Sequence, residues 1–367
     1  MISGTGSQQQ ASTQAVEFFV AGRVCLFGEH SDWAGQHRGA NLGLVPGRTI
    51  VVGTEQGLTA TATRCQDKVL TITTTSHDGE AFGPEEFPLQ PEALLAVARA
   101  GGFWSYVAGT AYRLLTSHHV GGIVIHNHTT TLPHGKGLSS SAAVCVMVAR
   151  AFNLVYDLKL TTRGEMEFAY LGEITTPSKC GRMDQACAFG SVPVVLTFDG
   201  DMMQVHPAKL AAPLLLVLVD LNAAKDTTEI LNSLQAAYPY PSTDQHHRLH
   251  ALLGTGNRSI VEAALGAMAE GNMQALGLLM TEAQLAFDAA AGPLCPAQLA
   301  APLLHTVLAL PSLQRHLWGG KGVGSQGDGT VQLLCRSVED QTKVCALLLQ
   351  ELGMACVPMT VQPTDTL

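Results

Sequence analysis

The sequence predicts an α+β fold in two domains, and three observations carry that expectation. The chain has 367 residues, more than one ordinary domain holds. It is 46% hydrophobic and carries 37 glycines, enough for a large core crossed by many tight turns. Its Thr- and Val-rich runs come in clusters and then give way to helical periodicity, unlike the regular alternation of a parallel α/β sheet.

In chain order, residues 16–21 and 24–27 read as apolar strands, parted by Gly22 and closed by Gly28. Residues 49–63 and 69–75 read as antiparallel strands, and residues 84–91, with a proline at each end, as a loop. Residues 92–100 and 104–117 read as helices; in the second, Val107, Ala111, Leu114 and Leu115 share one face. A strand at 122–128 leads to a Gly- and Ser-rich stretch and a helix from about 144 to 152. Residues 161–171 form a further helix with Thr161 or Thr162 as N-cap. Strands at 193–198 and 214–220 flank the turn Asp199-Gly200-Asp201, near which a second domain begins. The expected organisation is a disordered tail at 1–15, an N-terminal domain at 16–200 and a C-terminal domain at 201–367. Within the latter, helices are expected at 227–237, 259–271, 273–291, 302–309 and 338–352, with strands at 330–335 and 355–361.

Composition narrows the function. A formal net charge of −9 with no basic cluster argues against nucleic acid or an anionic membrane as partner. Nine scattered cysteines without a Cys-x-x-Cys pair argue against a disulfide framework or structural zinc and fit a reducing, cytoplasmic compartment. The pairs His118-His119 and His246-His247 lack metal-site spacing and read as surface or loop histidines. Residues 1–15 lack the charged start and apolar centre of a signal peptide. The strongest apolar run, 210–221, is too short to span a bilayer.

Three stretches carry chemistry. Residues 132–143 read Leu-Pro-His-Gly-Lys-Gly-Leu-Ser-Ser-Ser-Ala-Ala and open a helix. Small residues there allow close backbone approach, and a helix start supplies N–H donors and partial positive charge for a phosphate. The same serines can simply cap a buried helix. After the strand at 24–27, Glu29, His30 and Asp32 crowd one turn, either as a polyol site or as a solvated acidic turn. Arg23 just before it is a surface charge or a cation aimed at phosphate. Asp184 sits in the small, apolar setting Cys180-Gly-Arg-Met-Asp-Gln-Ala-Cys187, where a carboxylate caps a turn or does chemistry. A second Gly-rich stretch, residues 321–329, could close over phosphates or form a plain hairpin turn.

Together these segments resemble the GHMP kinase superfamily, in particular its galactokinase-like sugar kinases. Residues 22–33 are similar to the galactokinase signature, Gly-Arg-Val leading to Gly-Glu-His-x-Asp and an aromatic, here Trp33 where Tyr is usual. Residues 133–143 resemble the family's phosphate loop, and Cys180–Gln185 its Cys-Gly-x-Met-Asp-Gln segment. Trp104-Ser-Tyr106-Val107-x-Gly109 resembles a helix near the nucleotide pocket. The resemblance implies a two-domain fold, with an N-terminal ribosomal protein S5 domain 2-like part, a ferredoxin-like C-terminal part and a site between them.

It also implies ATP- and Mg²⁺-dependent phosphorylation of a sugar hydroxyl, most plausibly the anomeric C1 hydroxyl of galactose or a related sugar, by a monomer or homodimer. By resemblance, Asp184 would be base or orienting charge, and Arg23 would stabilise the transferring phosphoryl group. Glu29, His30, Asp32, Gly181 and Tyr238 would bind sugar. Trp104 and the run Gly135, Lys136, Gly137, Leu138, Ser139, Ser140, Ser141 and Ala142 would bind ATP, with Ser140 and Glu173 on the metal. In the 321–329 loop, Asp328 would repel a triphosphate unless it points away. Arabinose, an amino sugar, a uronic acid or a non-sugar alcohol remain open as substrates, as does a non-catalytic galactose- and ATP-binding role. Repulsion by Glu29 and Asp32 counts against acceptors that carry a carboxylate.

Overall fold

The computed structural model of the chain describes residues 14–132, 138–178, 180–223 and 225–364. Its first sheet has seven strands: β1 (Val16–Phe27), β2 (Gly47–Arg64), β3 (Val69–Thr75), β4 (Ala81–Pro88), β5 (Ile123–Thr130), β6 (Val194–Asp199) and β7 (Met202–Pro207). The order is β4-β3-β5-β2-β6-β7, with β1 on β2. The second sheet, β8 (Leu214–Asp220), β9 (Leu317–Gly322), β10 (Thr330–Cys335) and β11 (Cys356–Val361), runs β11-β8-β10-β9 with every pairing antiparallel. That is the ferredoxin-like arrangement. The mixed α+β architecture stands as expected, and the two sheets divide the chain between 207 and 214, because β7 still pairs with β6.

The helices that position the site are α1 (Ser31–Gln36), α2 (Pro91–Ala100), α3 (Ser105–Ser117), α4 (Ser140–Tyr156), α5 (Thr162–Glu173), α6 (Thr227–Gln235), α7 (Asp244–Ala251), α8 (Asn257–Glu270), α9 (Met273–Ala290), α10 (Pro296–Leu299) and α11 (Pro302–Ala309). Buried apolar side chains of α4, among them Cys145, Val146, Val148 and Phe152, join Val24, Leu26 and Phe27 of β1 in one core. That core continues through Ile260, Val261 and Ala264 of α8 to Leu214 and Leu216 of β8, so the two sheets share it. Among the described residues no helix is long and apolar enough to cross a membrane.

Two expectations are corrected. Residues 16–27 form one strand rather than two, with register shifts at Ala21/Arg23 and Cys25/Phe27 marking the breaks read from Gly22. Residues 81–88, expected largely as loop, form β4. This strand lies at the sheet edge, where Pro84 is tolerated because no neighbour requires its missing N–H, and Phe87 anchors it in the core. The helix α7 was also not foreseen; Thr243 caps it by accepting from the His246 N–H at 3.1 Å.

Two buried contacts hold the end of β1 to the second sheet. Gln332 Nε2 of β10 donates to the Cys25 carbonyl at 2.9 Å. Lys321 of β9, 1% exposed at its side chain, is ion-paired with Glu29, 6% exposed. Removing one partner from such a pair costs about 3–5 kcal/mol, whereas replacing both by apolar groups is near neutral. Lys321→Met should therefore lower the unfolding free energy by about 3 kcal/mol or more, and Glu29→Leu in the same chain should restore most of it. Without Lys321 the Glu29 carboxyl titrates higher still, and a raised folded pKa contributes stability that is lost as pH rises. The deficit of the single variant, read from urea unfolding, should thus be larger at pH 8 than at pH 5.

Candidate active site

The site is built where β1 ends. Gly28 takes φ 88°, and a Cβ there would strike the Arg48 carbonyl, so the strand can turn sharply into α1. His30 also takes a left-handed conformation, φ 64°, unusual for a residue with a side chain. The turn buries Glu29, His30 and Asp32 at 4–5% exposure, which removes the solvated-turn reading. Arg23, on the same strand, is 4% exposed and reaches Asp184 through a 2.5 Å ion pair. Asp184 opens the short turn Asp184–Phe189, and its side chain is 26% exposed against 5% for Arg23. A buried cation thus presents a carboxylate that solvent can reach.

Glu173, at the end of α5, lies on the other side of Asp184. It accepts from Ser141 Oγ at 2.9 Å and from Gln185 Nε2 at 2.7 Å. Burial and then the charge of Asp184 push its carboxyl up to about 7. Ser141, rather than Ser140, meets Glu173 here, because both begin α4 and successive side chains of a helix point about 100° apart.

The serine run departs from one expectation. Ser139 stands at the N-cap of α4 with φ 57°, and its own side chain does not cap the helix; among the described residues its hydroxyl is buried without a partner. The left-handed backbone turns its side chain away from the N–H groups of the helix start. The Leu138 carbonyl accepts from the Arg23 N–H at 3.2 Å and ties this end to β1. Leu138 and Ala142 are buried. Gly135, Lys136 and Gly137 lie outside the described residues. Trp104 begins α3 in a cluster with Phe103, at 4.5 Å between ring centroids, and Phe87, at 6.2 Å.

Around the acidic turn the charges are largely neutralised. Glu29 is paired with Lys321, although burial still raises its carboxyl above the usual range. Asp32 is pushed up to about 6 by burial and then by Asp184, against the backbone N–H groups of Trp33 and Met183. A Cβ on Gly181 would collide with the Asp32 carboxylate, so glycine is required there. His30 accepts at Nδ1 from the Trp33 indole at 3.1 Å and stacks on Phe287 at 5.6 Å. Burial lowers its pKa to about 4. Tyr238 meets Trp33 and stacks on His250 at 4.1 Å, one ring removed from His30. It lines a separate cavity of about 190 Å³ with Leu44, Gly254 and Thr255.

Residues 321–329 take the hairpin alternative, since they join β9 to its antiparallel neighbour β10. Lys321 and Gly322 belong to β9, and the turn that follows packs against the acidic turn: Gln326 Nε2 donates to the Gly322 carbonyl at 3.3 Å, and the Ser325 backbone faces His30. Asp328 points away, accepting from the Leu303 and Leu304 N–H groups at 3.3 and 2.9 Å at the start of α11. Sequence reading missed Lys321, Gln185 as the second donor to Glu173, and Lys225, whose ammonium donates to the Gln326 carbonyl at 2.9 Å. For Gln185 the signal was present, adjacent to Asp184. The two lysines meet the turn only through the fold.

Comparison with known proteins agrees with this geometry. Residues 105–191 match the model of the GHMP kinases N terminal domain. A galactokinase of Roseiflexus sp. (strain RS-1) is 26% identical over 208 residues, 56% of this chain and 48% of that protein, so the match spans about half the relative's length. The structure of Lactococcus lactis galactokinase complexed with galactose superposes with TM-score 0.69 at 18% identity, covering 96% of this chain and 95% of that one. L. major mevalonate kinase in complex with R-mevalonate gives TM-score 0.67 at 19% identity, covering 98% and 99%. Residues 105–191 thus resemble a GHMP kinase N-terminal domain, and the whole chain shares the fold of these solved kinases.

Proposed function

We propose that the chain is an ATP- and Mg²⁺-dependent kinase that phosphorylates a hydroxyl of a monosaccharide, with the anomeric hydroxyl of galactose or a related sugar as the acceptor the motifs favour. The observation that carries this reading is the solvent-reachable Asp184, salt-bridged to buried Arg23 and set between an uncapped helix start and a turn rich in hydrogen-bonding side chains.

In this reading the acceptor hydroxyl donates to Asp184, which takes or orients its proton as the oxygen attacks. Arg23 holds that carboxylate in place and sets positive charge where negative charge spreads over the moving phosphoryl group. The start of α4, with Ser139, Ser140 and Ser141, faces the phosphates, and Trp104 lies on the nucleotide side. Glu173 and Ser140 would hold Mg²⁺, which would neutralise phosphate charge. They fit it, because a carboxyl pushed up by burial and a neighbouring carboxylate is relieved by a cation. His30, Asp32 and Gly181 would line the acceptor, with Glu29 shaping the turn through Lys321.

Two outcomes are expected. With ATP and Mg²⁺ and a panel of free monosaccharides, ADP release should be acceptor-dependent, and Asp184→Asn should lower kcat by about 100-fold or more while ATP still binds. Appreciable turnover by that variant would remove Asp184 as base. Glu173 gains charge as pH rises through about 7, and metal competes with that proton. The Mg²⁺ concentration for half-maximal turnover should therefore fall between pH 6 and pH 8, and Glu173→Gln should flatten the dependence; an unchanged profile would reject Glu173 as a ligand.

A further inference from the structure

Behind the acceptor turn lies the cavity that Tyr238 lines. It measures about 190 Å³, and Leu44, Val45, His250, Leu253 and Gly254 supply most of the rest of its wall. None of Glu29, His30, Asp32, Glu173 and Asp184 lines it, and no Lys or Arg does. Gly43 and Thr255, also on its lining, are exposed to solvent, which gives a small molecule a way in. The rings of Tyr238 and His250 stack at 4.1 Å and make one flat side of it. Burial raises the Tyr238 pKa and lowers that of His250, so both rings are neutral near pH 7. For scale, a cavity of roughly 150 Å³ lined by aliphatic and aromatic side chains holds benzene.

The cavity is built from segments tied to one another and to the acceptor turn. Across it, Asn41 Nδ2 donates to the Pro239 carbonyl and the Tyr240 hydroxyl donates to the Ala40 carbonyl, each at 2.8 Å. Another side is the π-helical turn Leu252–Gly256 between α7 and α8, a rare geometry that recurs at functional sites. From that turn the Leu253 carbonyl accepts from Ser31 Oγ at 3.4 Å. Asn257, next along, donates through Nδ2 to Ser31 Oγ at 2.9 Å and to the Glu29 carbonyl at 3.2 Å. On the aromatic side, Tyr238 meets Trp33 edge-on at 5.2 Å, and the Trp33 indole donates to His30 Nδ1 at 3.1 Å. His30 keeps a left-handed backbone, which persists only while its surroundings enforce it. The surroundings that do so are two walls of the cavity.

We propose that this cavity is a second binding site, for a small, uncharged, flat molecule of aromatic character, and that its occupancy supports the acceptor turn through Tyr238 and Trp33. The ligand stacks on the Tyr238–His250 side and packs against Leu44, Val45 and Leu253. By holding Trp33 against His30 it favours the conformation that receives the acceptor. The binding stands apart from the kinase reading; the effect on the acceptor rests on it.

The test uses the full chain labelled with ¹⁵N-tryptophan and unlabelled indole as probe. The chain has three tryptophans, so three indole N–H signals are expected, and Trp33→Phe identifies that of Trp33. Indole should shift the Trp33 signal saturably, with a dissociation constant on the order of 1 mM, and leave those of Trp104 and Trp318 in place. Val45→Phe and Gly254→Leu should each abolish the shift by filling the space; a Cβ at 254 meets only Val45, at 3.5 Å, and circular dichroism checks that both fold. With ATP, Mg²⁺ and a working acceptor, saturating indole should lower the acceptor KM by about fivefold in the wild type and in neither filled variant. If the Trp33 signal does not move, or moves equally in the filled variants, the site falls. If it moves and the acceptor KM is unchanged or raised, the support of the acceptor turn falls. If no acceptor is turned over, the kinase reading falls, and the Trp33 titration alone decides the site.

Discussion

The ion pair between Arg23 and Asp184 fixes everything else in the site. Arg23 is locked into β1, whose backbone pairs along β2, and so deeply buried a charge is costly without a carboxylate to meet it. Asp184 supplies that partner across 161 residues of sequence, and its own exposure leaves one face for a ligand. Once that carboxylate is set, its charge reaches Glu173 on one side and Asp32 on the other and raises both. Two raised carboxyls beside one buried cation mark a place where negative charge crowds.

The second sheet completes the site rather than merely covering it. Lys321 neutralises Glu29, Gln332 holds the Cys25 carbonyl, and the turn after β9 brings Ser325 and Gln326 against His30 and Lys225. The negative charge that the run Glu29-His30-Ser31-Asp32 suggests is thereby matched at Glu29. Fold alone does not set substrate; local chemistry at the site does.

Much of the architecture was legible in the sequence, because alternating and helical apolar patterns are local properties. The Thr- and Val-rich strands and the helices α3, α5, α8 and α9 follow directly from them. The edge strand β4 was not legible, since Pro84 reads as a breaker and only its position at the sheet edge makes it tolerable. In the site, Arg23 and Asp184 could be singled out because each stands in a short, unusual neighbourhood, whereas Glu173 came only through the resemblance. Lys321 could not be assigned to Glu29, because 292 residues separate them and nothing local marks the pairing. Lys225 was hidden for the same reason, and the capping alternative for the serine run fails at Ser139 because a left-handed backbone is not written in a serine.

The most direct test of the account is phosphorus NMR of the product formed from ATP, Mg²⁺ and an acceptor that supports ADP release. A phosphorus resonance coupled to a proton on the acceptor's own carbon, absent from the Asp184→Asn reaction, would establish transfer to a hydroxyl held at Asp184. Release of inorganic phosphate alone, with the acceptor recovered unchanged, would contradict it.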